Sequence, residues 1–100
     1  MFESDKFITR GVAGTIPTEL QMFLWNSIGN IPSGTRDYLQ VFRLAGRRQG
    51  SSVLQEVVHS QEEPEYSARY LLESRGRPVS AKIFVIDDVT HATMLLAEEY

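Results

Sequence analysis

The stretch Ile16-Pro-Thr-Glu-Leu-Gln-Met-Phe-Leu-Trp-Asn-Ser-Ile28 decides the fold, because it is the only segment with a sustained helical period. Ile16, Leu20, Phe23, Leu24, Ser27 and Ile28 recur at the i, i+3, i+4, i+7 spacing that puts them on one helix face. Thr15 is placed to cap the N-terminus, Pro17 suits the first turn, and Glu19 complements the positive end of the helix dipole. Gly29 ends the segment and Pro32 prevents a quick restart. Burying Leu20, Phe23, Leu24 and Ile28 contributes roughly 1.5–3 kcal/mol each, enough to dock such a helix on a sheet.

Outward from this helix the pattern is extended. Residues 6–13 read as a first strand, with apolar Phe7, Ile8 and Val12 around β-branched Thr9, and Gly11 and Gly14 marking a turn. Downstream, residues 38–45, 53–61, 66–72, 81–87 and 92–98 read as strands. The breaks between them are Gly46-Arg-Arg-Gln-Gly50, Glu62-Glu-Pro64, Ser74-Arg-Gly-Arg-Pro78 and Asp87-Asp-Val-Thr90. Tyr66, Ala68, Tyr70 and Leu72 alternate with Ser67 and Arg69, the mark of a strand with one wet face. Residues 83–86 and 93–97 are apolar on both faces, which fits central strands or strands covered by the helix. Connections this short cannot hold crossover helices, so neighbours are expected to pair antiparallel as a meander. The expected fold class is α+β: one N-terminal helix on a curved, mostly antiparallel sheet of five to six strands, in the order β-α-β-β-β-β-β.

The chain has 100 residues, 42% hydrophobic and 23% charged, so residues 1–100 read as a single ordered domain. It contains no cysteine, which removes disulfides, thiolate nucleophiles and zinc-thiolate sites together. The formal charge of −3 argues against attraction to nucleic acid or anionic lipid. No apolar run approaches the ~20 residues needed to span a bilayer, and the acidic start Met1-Phe-Glu-Ser-Asp-Lys6 lacks a signal core. The expected compartment is the cytoplasm.

Several strings carry a resemblance. They are Phe7-Ile-Thr-Arg-Gly-Val12, Ile16-Pro, Glu19-Leu-Gln21, Asp37-Tyr-Leu-Gln-Val-Phe42, His59-Ser-Gln-Glu62, Pro64-Glu-Tyr66 and Met94-Leu-Leu-Ala-Glu-Glu-Tyr100. Together they resemble domain-of-unknown-function family 960, short cytosolic proteins of Gram-positive bacteria. The resemblance covers nearly the whole chain and implies a bacterial cytosolic single-domain protein. It supplies no catalytic residue to carry over.

In a meander, alternate turns lie at the same end of the sheet. Arg47, Arg48, Arg75 and Arg77 are therefore expected at one pole, and Glu62, Glu63, Glu65, Asp87 and Asp88 with His59 and His91 at the other. The basic pole is a candidate anion pocket, since guanidiniums fork onto phosphate or carboxylate. The plainer account is arginines decorating exposed hairpin tips. At the acidic pole His59, Glu62, Asp87, Asp88 and His91 are a candidate divalent-metal set, two imidazoles and carboxylates being a known combination. Their spacing matches no signature, and turn carboxylates more often bond their own backbone.

Gly11-Val-Ala-Gly14-Thr15 before a helix invites comparison with a phosphate loop, but it lacks the spacing and the lysine. Tyr38, Phe42, Tyr66 and Tyr70 could be imagined as a base-stacking platform, which the acidic balance disfavours. Trp25 and Met22 lie ~140° and ~200° from Leu20 around the helix, off its apolar stripe, and form a candidate interface patch. No nucleophile elbow, no Ser or Thr beside an obvious base and no cofactor fingerprint is present. The sequence therefore points to a non-enzymatic interaction or self-associating module, with a protein partner or homo-oligomer and neither nucleic acid nor membrane. The alternative is a protein binding an anionic metabolite or divalent metal, possibly catalytically.

Overall fold

The computed structural model describes residues 5–74 and 76–100. Along the chain run β1 (Asp5–Ile8), α1 (Arg10–Thr15), α2 (Thr18–Gly29), β2 (Leu39–Gln49), β3 (Ser52–Gln61), β4 (Tyr66–Glu73), β5 (Ala81–Asp87) and β6 (His91–Leu96). Single 3-10 turns lie at Ser33–Thr35 and Ala97–Glu99. The architecture is α+β, with two helices on a mixed six-stranded sheet in the order β1-β6-β5-β2-β3-β4.

The main helix forms where its period demands, and Leu20, Leu24, Ser27 and Ile28 are buried along the expected stripe. Its start differs from the expectation. Pro17 holds the cap position without a side-chain bond, and Thr15 closes α1 instead. The expected strand over residues 6–13 is half right: extended backbone stops at Ile8. Thr9 then caps α1 by accepting from the Val12 backbone N–H at 3.3 Å. Val12 and Ile16 are both buried one helical turn apart, so the apolar spacing here follows a helix rather than a strand. The Glu99 carboxylate completes this corner, accepting from the Thr9 hydroxyl at 2.6 Å, Leu96 N at 2.8 Å and Gly11 N at 3.2 Å. The Thr9 hydroxyl, chiefly, holds the Glu99 carboxyl below the usual carboxylate range. A β-carbon on Gly11 would stand 2.6 Å from Glu99 Oε2, so a larger residue here displaces the carboxylate from this position.

The meander expectation holds for β2, β3 and β4, and for β5 with β6, but it fails between β4 and β5. β5 pairs with β2, from Leu39↔Ile86 to Leu44↔Ala81, and β1 adds in parallel beside β6. The reason lies in residues 76–80, which lead into β5 across the ends of β3 and β2. Gln55 anchors that crossing: its Oε1 accepts from Val79 N at 2.7 Å, and its Nε2 donates to Val79 O at 3.0 Å and Ala45 O at 3.2 Å. Pro78 fills the space that Gly46 leaves open, where a β-carbon would lie 3.2 Å from Pro78 Cβ. In the observed order β5, apolar on both faces, keeps an interior place, between β6 and β2, as its composition requires.

Beyond Ala45, β2 pairs only with β3, and the two continue as an arm to Gln49↔Ser52. Gly50, with φ +62°, takes the first central position of its two-residue tip, a conformation natural to glycine. The core lies between the helices and one sheet face. Val12, Ile16, Leu20, Leu24 and Ile28 pack on Phe42, Leu44, Val57, Ile83, Val85, Ala92 and Met94. No helix among the described residues is long and apolar enough to cross a membrane.

Candidate functional site

Strand alternation with the observed register assigns every sheet residue to a face. The covered face carries a buried polar row at the acidic pole. His59 is fully buried, stacked on Phe42 with ring centroids 4.3 Å apart. Its Nδ1 lies 2.7 Å from Ser27 Oγ and its Nε2 lies 2.6 Å from Gln40 Oε1. Gln40 Nε2 donates to Gln61 Oε1 at 2.7 Å and to Asp37 O at 2.9 Å. Gln61 in turn accepts from Asp37 N at 2.9 Å and donates to Thr35 O and Pro64 O, each at 2.8 Å. No described buried side-chain polar atom lacks a partner. Burial pushes the His59 pKa down to about 4, so the ring is neutral near pH 7.

A serine hydroxyl on an imidazole, with an amide beyond it, has the connectivity of a nucleophile, a base and an orienting group. Ser27 is 2% exposed and His59 0% exposed, so no substrate reaches them and the row acts as a structural pin. The sequence reading missed this pair. The available signal was polar residues on the inward parity of apolar strands, in Gln40-x-Phe42-x-Leu44 and Val57-x-His59-x-Gln61.

Among the described residues, the turns gather at the two expected ends despite the changed strand order, because β4 ends and β5 begins at the end that carries the β2–β3 tip. The candidate ligands do not converge there. His91 shares a pole with His59 but lies three strands away, ~14 Å at ordinary strand spacing, and on the opposite sheet face. Its Nε2 is 3.1 Å from Asp88 Oδ2. Asp88 Oδ1 accepts from Thr90 N and His91 N, and Asp87 Oδ1 accepts from Val89 N, all bonds within the turn. The His91 and Thr90 hydrogen bonds hold the Asp88 carboxyl below its usual range. Glu62 is exposed in the β3–β4 turn. Among the described residues, no group of three or more His, Asp or Glu is placed to hold a metal ion.

At the basic pole Arg47 donates to Glu56 Oε2 at 2.9 Å on the uncovered face, and Arg69 engages the same oxygen. Both guanidiniums, Arg47 first, lower the Glu56 pKa. Arg48 has the opposite parity and faces the other way. Arg77 stands at the rim of a cleft of about 520 Å³ between the start of α2 and the crossing segment, floored by Leu20, Phe23, Leu72 and Val79. Glu19 and Glu73 share that rim, an arrangement that opposes an anion. Arg75 lies outside the described residues. Of the helix pair, Met22 is 59% exposed, whereas Trp25 is half-buried against the core with Lys6 Nζ 5.8 Å from its ring centre. The base-stacking idea fails on placement, since Phe42 is buried under the helix and Tyr38 lies outside the strands.

The least expected feature is the sheet face away from the helices. Leu39 and Val41 of β2, Leu54 and Val58 of β3, Phe84 and Ile86 of β5 and Leu95 of β6 all point there and are only half-buried. Phe7 and Leu71 extend the patch to both edges, exposed by 52% and 42%. Tyr100 makes an edge contact with Phe84, centroids 5.6 Å apart. At the middle, Arg43 and Lys82 stand directly opposite each other on adjacent strands. A wet antiparallel face ordinarily alternates to polar residues. This one carries the apolar patch beside Arg43 and Lys82, with Arg47, Glu56 and Arg69 on the same face toward the basic pole, and the double-sided strands that read as central have a cover within the described chain on one side only.

The family model described as a Staphylococcal protein of unknown function, DUF960, matches residues 5–99. The fold is also similar to the crystal structure of a protein of unknown function from Enterococcus faecalis. That similarity has 25% identity and a TM-score of 0.74, and covers 98% of this chain and 92% of that one. No curated protein matches the chain. Matched over nearly its whole length, the chain belongs to the DUF960 family.

Proposed function

We propose that this chain is a non-catalytic interaction module whose docking surface is the apolar sheet face opposite α2. The observation that carries the reading is the row Leu39, Val41, Phe84, Ile86 and Leu95, half-buried with neither α1 nor α2 over it. A patch of this kind, larger than single scattered apolar residues, marks an association surface on a stable domain. Burying it returns ~25 cal/mol for each Å² removed from water, a gain the isolated chain forgoes. The sealed Ser27–His59 pair adds weight, because this hydroxyl–imidazole contact has no access to substrate; the exposed Thr90–His91 contact at 2.9 Å lies within a turn. The helix residues Met22 and Trp25 are the weaker docking patch, since Trp25 is already engaged by Lys6 and the core. In this reading the acidic, cysteine-free protein works in the bacterial cytosol.

The test is photo-cross-linking in cells, with a benzophenone amino acid at position 84 or, as control, position 22. Adducts of discrete mass from position 84 and none from position 22 support the reading. A chain that stays free at position 84 contradicts it.

A further inference from the structure

We infer that the occupant of this face is a second copy of the chain, stacked sheet against sheet with its strands reversed. The inference rests on the docking reading above and names the partner.

A groove of about 560 Å³ runs along the uncovered face beside β2. One end is lined by Asp37, Glu62 and Glu63, the other by Arg43 and Lys82. Leu39, Val41 and Phe84 line the stretch between them. The two cations are register partners, both exposed, and no carboxylate pairs with either among the described residues. Like charges directly opposite in a sheet repel, so a partner supplying carboxylates at that point is favoured.

The chain carries those carboxylates at the correct offset. With a rise of ~3.3 Å per residue, Arg43 lies ~7 Å beyond Val41 toward the basic pole; Glu62, two residues past the Val41 partner Ser60, lies a comparable distance toward the acidic pole, and Asp37 lies ~13 Å that way. A two-fold axis in the plane of the interface, perpendicular to the strands near Val41, sets Arg43 and Lys82 over Leu39 and Ile86 at the acidic end of the other copy, with the Glu62 line one strand spacing (~5 Å) from Arg43 and two from Lys82. It also lays Val41 and Phe84 against their own equivalents. The groove is its own complement, as an isologous dimer requires.

The area suffices. Six strands ~4.8 Å apart and about seven residues long give a face on the order of 550 Å² per copy, or ~1,100 Å² in total. That exceeds the ~1,000 Å² expected of a specific interface. Sheets stacked ~10 Å apart leave arginine and lysine within reach of the opposing carboxylates.

Sedimentation equilibrium on four samples tests the inference: the wild type, Arg43→Glu with Lys82→Glu, Glu62→Lys with Glu63→Lys, and an equimolar mixture of the two variants. All four positions are exposed, and circular dichroism verifies that each variant folds. The wild type is expected to be dimeric. Each variant alone should associate at least roughly tenfold more weakly, because like charges then meet across the axis. The mixture should restore the dimer, since each reversed site meets its opposite. A wild type that stays monomeric at millimolar concentration overturns the inference, as does a variant that dimerises as tightly as the wild type. Should that occur while position 84 still cross-links to a different protein, the docking reading stands and the second copy is excluded as its occupant.

Discussion

Nε2 of His59 lies 2.6 Å from Oε1 of Gln40, and the direction of that hydrogen bond is fixed from the backbone outward. Asp37 N must donate to Gln61, and Thr35 O and Pro64 O must accept from it, which sets the Gln61 amide. Gln61 Oε1 then faces Gln40 Nε2, which turns Gln40 Oε1 toward the ring. His59 is therefore the neutral tautomer protonated at Nε2, and Ser27 Oγ donates to its Nδ1. One chain of bonds ties α2 to the loop before β2, across two strands.

This arrangement makes stability pH-dependent with a definite sign. His59 has a folded pKa of about 4 against an ordinary 6.5. As the pH falls through 6.5 the unfolded chain takes up a proton that the folded chain refuses, so stability drops until the folded pKa is reached. Between pH 7 and pH 5, above most carboxylate titration, the loss should be about 2 kcal/mol. Urea denaturation across that window measures it. His59→Phe should remove the slope while lowering stability at every pH, because Ser27 and Gln40 lose a partner at ~1–3 kcal/mol each. A flat wild-type profile, or a variant that keeps the slope, refutes the account.

Gln55 holds the crossing segment through both atoms of its amide. Gln55→Leu keeps the bulk but strands the Val79 N–H and C=O, at a cost of about 1–3 kcal/mol. Hydrogen exchange at the Val79 amide should accelerate sharply while the Val57 amide in the core stays protected. Unchanged protection at Val79 would show that Gln55 is not the anchor.

Val89 adopts φ +82° in the β5–β6 turn with 81% of its surface exposed. A β-branched residue is strained in this left-handed region, and its side chain gains little there. Val89→Gly should stabilise the protein by up to about 1 kcal/mol, raising Tm by several degrees in calorimetry. A lower Tm would mean that the Val89 side chain makes a stabilising contact outweighing the strain.

Short-range signals were legible where period and burial agree. The α2 stripe and β5 at residues 81–87 are found as read, and the two charged poles follow from turn positions alone. What escaped depends on long-range pairing. Nothing local to Ala81 says that its strand should join β2 rather than β4; the choice rests on Gln55 and Gly46 receiving the crossing segment. Val12 reads as part of a strand because a β-branched residue near Phe7 and Ile8 fits extended chain until the Thr9 cap is recognised. The metal set failed because sharing a pole says nothing about which strand, or which face, a histidine occupies. The apolar outer face was visible as double-sided strands, but a sequence does not reveal which side its own helices will cover.

The uncovered face is tested most directly by methyl NMR with a soluble paramagnetic agent across a dilution series. The account predicts that Val41, Val58 and Leu95 methyls are shielded at high concentration and become accessible on dilution, while the Met22 methyl is accessible throughout. Val41 and Leu95 methyls as accessible as Met22 at every concentration would contradict it.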